Sequence, residues 1–146
     1  MDDRYALFGI LFAFGNRLQT AGDSFYNDIT CKQFFLLICL NLFPNEAPTI
    51  NDLAEVMGCS HQNVKQLALK LEKNGFLTLL TDQEDKRKLR IVQTKALLEF
   101  SNQNKSREIA FMQHLFEGIP ADEIAVTYKV MNTMETNLTK IKEMNL

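Results

Sequence analysis

Apolar residues recur along most of this chain at helical spacing. Tyr5, Phe8, Phe12, Gly15 and Leu18 fall near one face, with Leu11 beside them, which predicts a first helix over about residues 3–22, closed by Gly22-Asp23. Thr30 is a candidate N-cap for a second helix reaching about Phe43. Its Phe34-Phe35-Leu36-Leu37-Ile38 run is apolar nearly all round and predicts the most buried helix. Pro44 and Pro48 bracket a short loop. Thr49 then stands where an N-cap would, with Asp52 three residues on. Ile50, Leu53, Ala54 and Met57 keep the i, i+3, i+4, i+7 pattern until Gly58. Ser60 opens a further helix, where Val64, Leu67, Ala68 and Leu71 repeat that spacing up to Gly75. Two short amphipathic helices joined by a tight glycine-containing turn are the pattern of a helix-turn-helix.

Past Gly75 the period shortens. Phe76–Thr81 and Leu89–Gln93 are rich in branched and aromatic residues and are separated by the charged residues 82–88, which predicts a β-hairpin with a long charged tip. Two strands alone are marginal, so the hairpin must pack on the helices. Thr94 caps a long helix to about Phe116, with a polar middle from Ser101 to Glu108. Pro120 opens a last helix, along which Ile124, Tyr128, Met131, Met134, Leu138 and Ile141 alternate by threes and fours. Neither a repeat nor a linker interrupts the pattern. The expectation is one domain over 1–146: mainly α with a small β-hairpin wing, a winged helix-turn-helix over about 30–94, and flanking helices over about 3–22 and 95–144.

Composition narrows the class. With 146 residues, 46% hydrophobic and 23% charged, the chain can bury a sizeable core. Three cysteines, an odd number without a C-x-x-C, exclude a disulfide scaffold. The longest apolar run, Phe34–Leu40, is far below the ~20 residues of a membrane span. The acidic start, Met1-Asp2-Asp3, lacks the basic region of a secretion signal, so a cytoplasmic location is expected. The net charge of −2 conceals an asymmetry. Residues 60–95 hold eight basic and four acidic residues, a segment of +4, which leaves −6 for the rest. A basic segment in an acidic chain is an electrostatic footprint suited to nucleic acid.

The helix after Ser60 must bury Val64, Leu67 and Leu71 to stay attached. At about 100° per residue its opposite side then carries Gln62, Lys65, Gln66 and Lys73, with Asn63 and Lys70 on a flank. Amides pair bidentately with adenine, and lysine reaches guanine edges or phosphates. Gln62, Asn63, Lys65 and Gln66, toward the N-terminal end, are the candidate base contacts. Thr49, Ser60, Lys70 and Lys73 are the candidate phosphate contacts, Ser60 through the unpaired N–H groups of a helix start. Lys86, Arg87 and Lys88 at the hairpin tip are suited to a minor groove.

Leu53-Ala54-Glu55-Val56-Met57-Gly58-Cys59-Ser60, then Val64, Leu67, Leu71-Glu72-Lys73-Asn74-Gly75-Phe76, then Asp82-x-x-Asp85-Lys86-Arg87-Lys88 and Leu89–Thr94 together resemble the MarR family of bacterial transcription regulators. The resemblance implies an intertwined helical homodimer. Its interface would take Tyr5, Phe8 and Phe12 from the first helix and Phe116, Ile124, Tyr128, Leu138 and Ile141 from the last two. It also implies that Arg87 enters the minor groove while Asp85 supports the wing by ionic contacts. Two departures stand out. Leu69 is apolar where the family is usually polar, and could touch a thymine methyl or pack under the wing. Lys86 and Lys88 replace the more common arginine, and Glu84 adds a negative charge.

Other chemistry finds little footing. Cys31, Cys39 and Cys59 read as core or turn residues, since the peroxide-sensing relatives carry their cysteine in the first helix. His61 and His114 lack metal-ligand spacing, so no metal and no cofactor is expected. None of the usual nucleophile, phosphate-loop or zinc motifs occurs, so no enzyme is expected. The function expected is a sequence-specific, double-stranded DNA-binding repressor acting as a dimer on a pseudo-palindromic operator. A small aromatic ligand that releases it is part of that expectation. The alternative is a winged-helix module that binds protein and not DNA.

Overall fold

The computed structural model describes residues 1–144, so the last two residues of the expected 1–146 domain lie outside it. In order come α1 (Asp3–Phe25), α2 (Cys31–Cys39), a 3₁₀ turn (Leu40–Leu42), α3 (Ile50–Met57), α4 (His61–Lys73), β1 (Leu77–Thr81), β2 (Leu89–Gln93), α5 (Lys95–Leu115) and α6 (Ala121–Met144). Contacts divide the chain into two compact units, residues 1–105 and the remainder from Ser106 onward.

In the first unit the helix starts obey the caps read from sequence. Thr30 and Thr49 each form a complete capping box, with Gln33 and Asp52 as reciprocal partners. Ser60 accepts the Asn63 N–H at 3.2 Å. Thr94 accepts the Leu97 N–H at 3.2 Å and donates to the Gly75 carbonyl at 2.6 Å, tying the start of α5 to the end of α4.

Two boundaries differ from expectation. Gly22 does not stop α1, which runs three residues further to Phe25. It is instead a close-approach position, because a Cβ there would lie 2.5 Å from the Cys31 sulfur. The second helix ends as α at Cys39 and tightens into the 3₁₀ turn. Phe43 precedes Pro44 and takes a non-helical conformation (φ −124°, ψ 65°), as a residue before proline tends to. Nor is α2 buried all round. Gln33, Leu36 and Cys39 are buried, whereas Phe35 and Ile38 remain exposed because its neighbours cover one face only.

The core of this unit is built where α2, α3, α4 and the hairpin converge. Leu36, Leu53, Val64, Leu71, Leu77 and Ile91 are almost wholly shielded from solvent. Each such aliphatic side chain contributes roughly 1.5–3 kcal/mol by leaving water. The hairpin is antiparallel, with Leu77 opposite Gln93 and Thr81 opposite Leu89. Its inner face, Leu77, Leu79 and Ile91, completes the core, so the two strands are held by the helices.

The second unit comprises the end of α5 and all of α6. Gly118 adopts φ 77° in the connection, a conformation that favours glycine. The Pro120 carbonyl accepts the N–H groups of Glu123 and Ile124 and so starts α6. No residue of α6 is buried; Ile124, Met131 and Met134 are half-covered. Among the described residues no helix is long and apolar enough to cross a membrane.

Candidate nucleic-acid interface

The turn between α3 and α4 depends on Gly58, whose φ of 67° closes α3 in the left-handed conformation. Its N–H and that of Cys59 return to the last turn of α3, through Glu55 and Ala54. Two residues later Ser60 starts α4. This short connection orients α4 relative to α3, and Val64, Ala68 and Leu71, all at 0% exposure, anchor it.

The other side of α4 faces solvent. Gln62, Asn63, Gln66, Lys70 and Lys73 are exposed, as is Ser60 at its start, and Lys65 is half-buried. Leu69, which could have packed under the wing, is 45% exposed. Thr49 is placed differently from the other candidate phosphate contacts. It is only 7% exposed, and its hydroxyl accepts the Asp52 N–H at 3.1 Å. Its place in the fold is the start of α3.

The hairpin stands beside α4, fastened by a contact that sequence reasoning missed. The Glu72 carboxylate accepts the Leu79 N–H at 2.7 Å, joining the last turn of α4 to the middle of β1. At the tip, the Asp82 N–H donates to the Lys88 carbonyl at 2.9 Å and closes the loop. The Asp82 side chain accepts the Asp85 N–H at 2.8 Å, shaping the turn inside it. Asp85 in turn accepts from Arg87 twice through the guanidinium, at 3.1 and 3.2 Å, and once through the backbone, at 3.1 Å. These bonds, the guanidinium's first, hold the Asp85 carboxyl below its ordinary range. Arg87 itself is 90% exposed, a fixed yet solvent-facing cation. Lys86 and Lys88 flank it and are exposed.

Arg90 is the second residue missed. Its Nε donates to Asp82 at 2.5 Å, its Nη1 to the Ala47 carbonyl at 2.5 Å, and its Nη2 lies 3.2 Å from Glu46. The Asp82 hydrogen bond is the main cause that raises the Arg90 pKa, and Arg90 is the main cause that lowers that of Asp82. Beside it the Ile91 N–H donates to the Pro48 carbonyl at 2.9 Å, so the loop before α3 acts as a short third strand. Once the hairpin register is known, Asp82 and Arg90 are neighbours across it. No local signal announces Ala47, 43 residues away.

Lys70, Lys73, Lys86 and Lys88 engage in no ion pair among the described residues, so their charge is available to an anion. The residues expected at a dimer interface also face solvent. Tyr5, Phe8 and Phe12 on α1, and Tyr128, Leu138 and Ile141 on α6, are exposed, with Phe116 after α5; Ile124 is half-buried. The Phe8 and Phe12 rings meet edge-to-face with centroids 5.3 Å apart. All three cysteines are free, and burial pushes the Cys31 and Cys39 thiols up, away from the reactive thiolate. No group of His, Cys, Asp and Glu side chains suited to a metal ion forms among the described residues.

The MarR family model matches residues 29–89, a span that begins two residues before α2 and ends at the first residue of β2. No curated protein matches the chain by sequence. Solved structures similar in fold include a MarR/EmrR family transcriptional regulator from Acinetobacter sp. ADP1, with 18% identity, 94% of this chain and 97% of that one covered, and a TM-score of 0.79. MepR of S. aureus, solved as a DNA complex, has 20% identity, 94% and 99% coverage and a TM-score of 0.72. BpsR of Bordetella bronchiseptica, described with regulation of its DNA binding by 6-hydroxynicotinic acid, has 17% identity, 89% and 98% coverage and a TM-score of 0.75.

Proposed function

We propose, from the premise that the 29–89 segment belongs to the MarR family, that this chain is a sequence-specific, double-stranded DNA-binding transcriptional regulator. The observation that carries the reading is the solvent-facing amide side of α4. Gln62, Asn63 and Gln66 offer paired donors and acceptors to base edges, and their helix is braced from behind by a fully buried apolar face. Lys70, Lys73 and the Ser60 helix start lie toward phosphates, and Thr49 fixes the neighbouring helix. Lys65, half-buried at the margin, has a stem long enough to reach a base from there. The tip, with Arg87 held by Asp85 between Lys86 and Lys88, enters a minor groove.

A single winged segment reads one half-site. The exposed apolar residues of α1 and α6 support a homodimer reading a pseudo-palindrome whose half-site centres lie about 10 bp apart. The regulator acts in the cytoplasm as a repressor by occluding a promoter. A small aromatic molecule releases it by favouring a different spacing of the two winged segments.

Selection of bound duplexes from a random pool tests this reading. A palindromic motif is the expected product, and Gln62→Ala or Gln66→Ala relaxes preference at one position at a cost of about 1–3 kcal/mol. Affinity for the selected duplex falls steeply with salt through counterion release. A chain that selects no duplex, yet binds a protein partner with little salt dependence, is the interaction module instead.

A further inference from the structure

The outward side of α4 is not uniformly polar. Successive residues turn by about 100°, so Gln62, Gln66, Leu69 and Lys73 form one stripe within about 60° of each other. All four are exposed, and Leu69 alone among them cannot make a hydrogen bond. A solitary exposed leucine elsewhere needs no explanation. This one lies in line with the residues argued to face base edges, one turn beyond Gln66. Two other places could have absorbed it. The core side of α4 is filled by Val64, Ala68 and Leu71. The wing side is taken by Glu72, bonded to β1.

In a major groove the apolar feature is the thymine 5-methyl group, which only an apolar side chain recognises favourably. We infer that Leu69 is a specificity-determining residue that packs on the methyl group of a thymine in each half-site, next to the base pair read by Gln66. The inference rests on the DNA-binding reading and deepens it. A cytosine at that position presents an amino donor and no methyl, which Leu69 would leave unpaired. The half-site therefore discriminates thymine from cytosine without a hydrogen bond.

The test uses the full-length protein and a duplex selected from a random pool. Each thymine of one half-site is replaced singly by deoxyuridine, which removes the methyl group and leaves every hydrogen-bonding atom in place. Wild type is expected to lose about fourfold in affinity at one thymine, the effect of one buried methyl-sized group. Leu69→Ala should bind the thymine and uracil duplexes equally, and Leu69→Met should keep the preference. Because residue 69 is exposed, both variants are expected to fold. Indifference of the wild type to every methyl, or a preference that survives in Leu69→Ala, overturns the inference and leaves the DNA-binding reading intact. Equal weakening on all duplexes by Leu69→Ala assigns the leucine to backbone packing and also overturns it. If no duplex is selected, the DNA-binding reading fails and this inference falls with it.

Discussion

Glu72, near the end of the helix that carries the amide-rich side, accepts the backbone N–H of Leu79 in the middle of β1 at 2.7 Å. Neither residue is a candidate contact for DNA, yet this bond sets where the wing stands relative to α4. A strand N–H on the edge away from β2 would otherwise lack a partner beside the helix. Glu72→Ala is expected to cost about 1–3 kcal/mol, the penalty of stranding a part-buried donor. Glu72→Gln keeps an acceptor and should lose less. Denaturant unfolding of the three proteins measures the difference. Equal stability of all three would mean that the strand finds its place without the carboxylate.

Two glycines should respond differently to the same substitution. Gly58 has open space around its missing side chain but a φ of 67°, so Gly58→Ala costs about 1–2 kcal/mol of backbone strain, and Gly58→Asn costs less. Gly22 has ordinary helical geometry but lies against Cys31, whose sulfur and Cβ would be 2.5 and 2.7 Å from the new methyl group. Gly22→Ala therefore overpacks the α1–α2 corner, at a cost of about 1–3 kcal/mol. Adding Cys31→Ala to Gly22→Ala should restore only part of that loss, because the Cβ clash stays. Full restoration would show that the sulfur alone sets the spacing.

Acid should loosen the neck of the wing tip. Arg90, and after it the Asp85 N–H, keep the Asp82 carboxyl below its ordinary 3.8. The unfolded chain binds the proton more readily, so the ion pair stabilises the fold fully above that value. Its contribution disappears as the pH falls below 3.8 through the lower, folded-state value. The stability gap between wild type and Asp82→Asn should therefore be present at neutral pH and shrink on acidification. Unfolding curves at several pH values report it, and a gap independent of pH would exclude the pair as its source.

The aromatic residues of α1 are expected to hold two chains together. Phe8→Glu or Phe12→Glu places a charge in an apolar contact and should yield monomers that still contain a folded winged segment. Sedimentation velocity reads the size, and circular dichroism checks the helices. Affinity for a palindromic duplex should drop to that of a single half-site. Variants that remain dimeric would move the interface elsewhere.

Much of this architecture was legible because it is local. Thr30, Thr49, Ser60 and Thr94 cap the helices they precede, since an N-cap needs only partners two or three residues away. The apolar spacing of Val64, Ala68 and Leu71 likewise identified the buried face of α4, and with it the exposed one. What escaped was long-range. Gly22 looked like a stop because glycine usually is one, and only the approach of Cys31 shows why the helix passes through it. Arg90 looked like one more positive charge in a basic segment; its bonds to Asp82 and to the Ala47 carbonyl spend that charge inside the protein. The burial of Thr49 was likewise not visible locally, because it reflects the strand-like pairing beside it.

The tie between Arg90 and the Ala47 carbonyl divides the hairpin into two mechanical parts. At their tip-side end, where Arg90 faces Leu80, the strands are pinned to the segment that introduces α3, so the hairpin is held to the helix pair along its length. Beyond Asp82 the closed tip has no such mooring among the described residues. An arm of this kind tolerates changes in length at its far end, which alter reach, while a change at its root alters aim. Substitutions can thus retune how far the cationic tip extends without disturbing the direction in which it points.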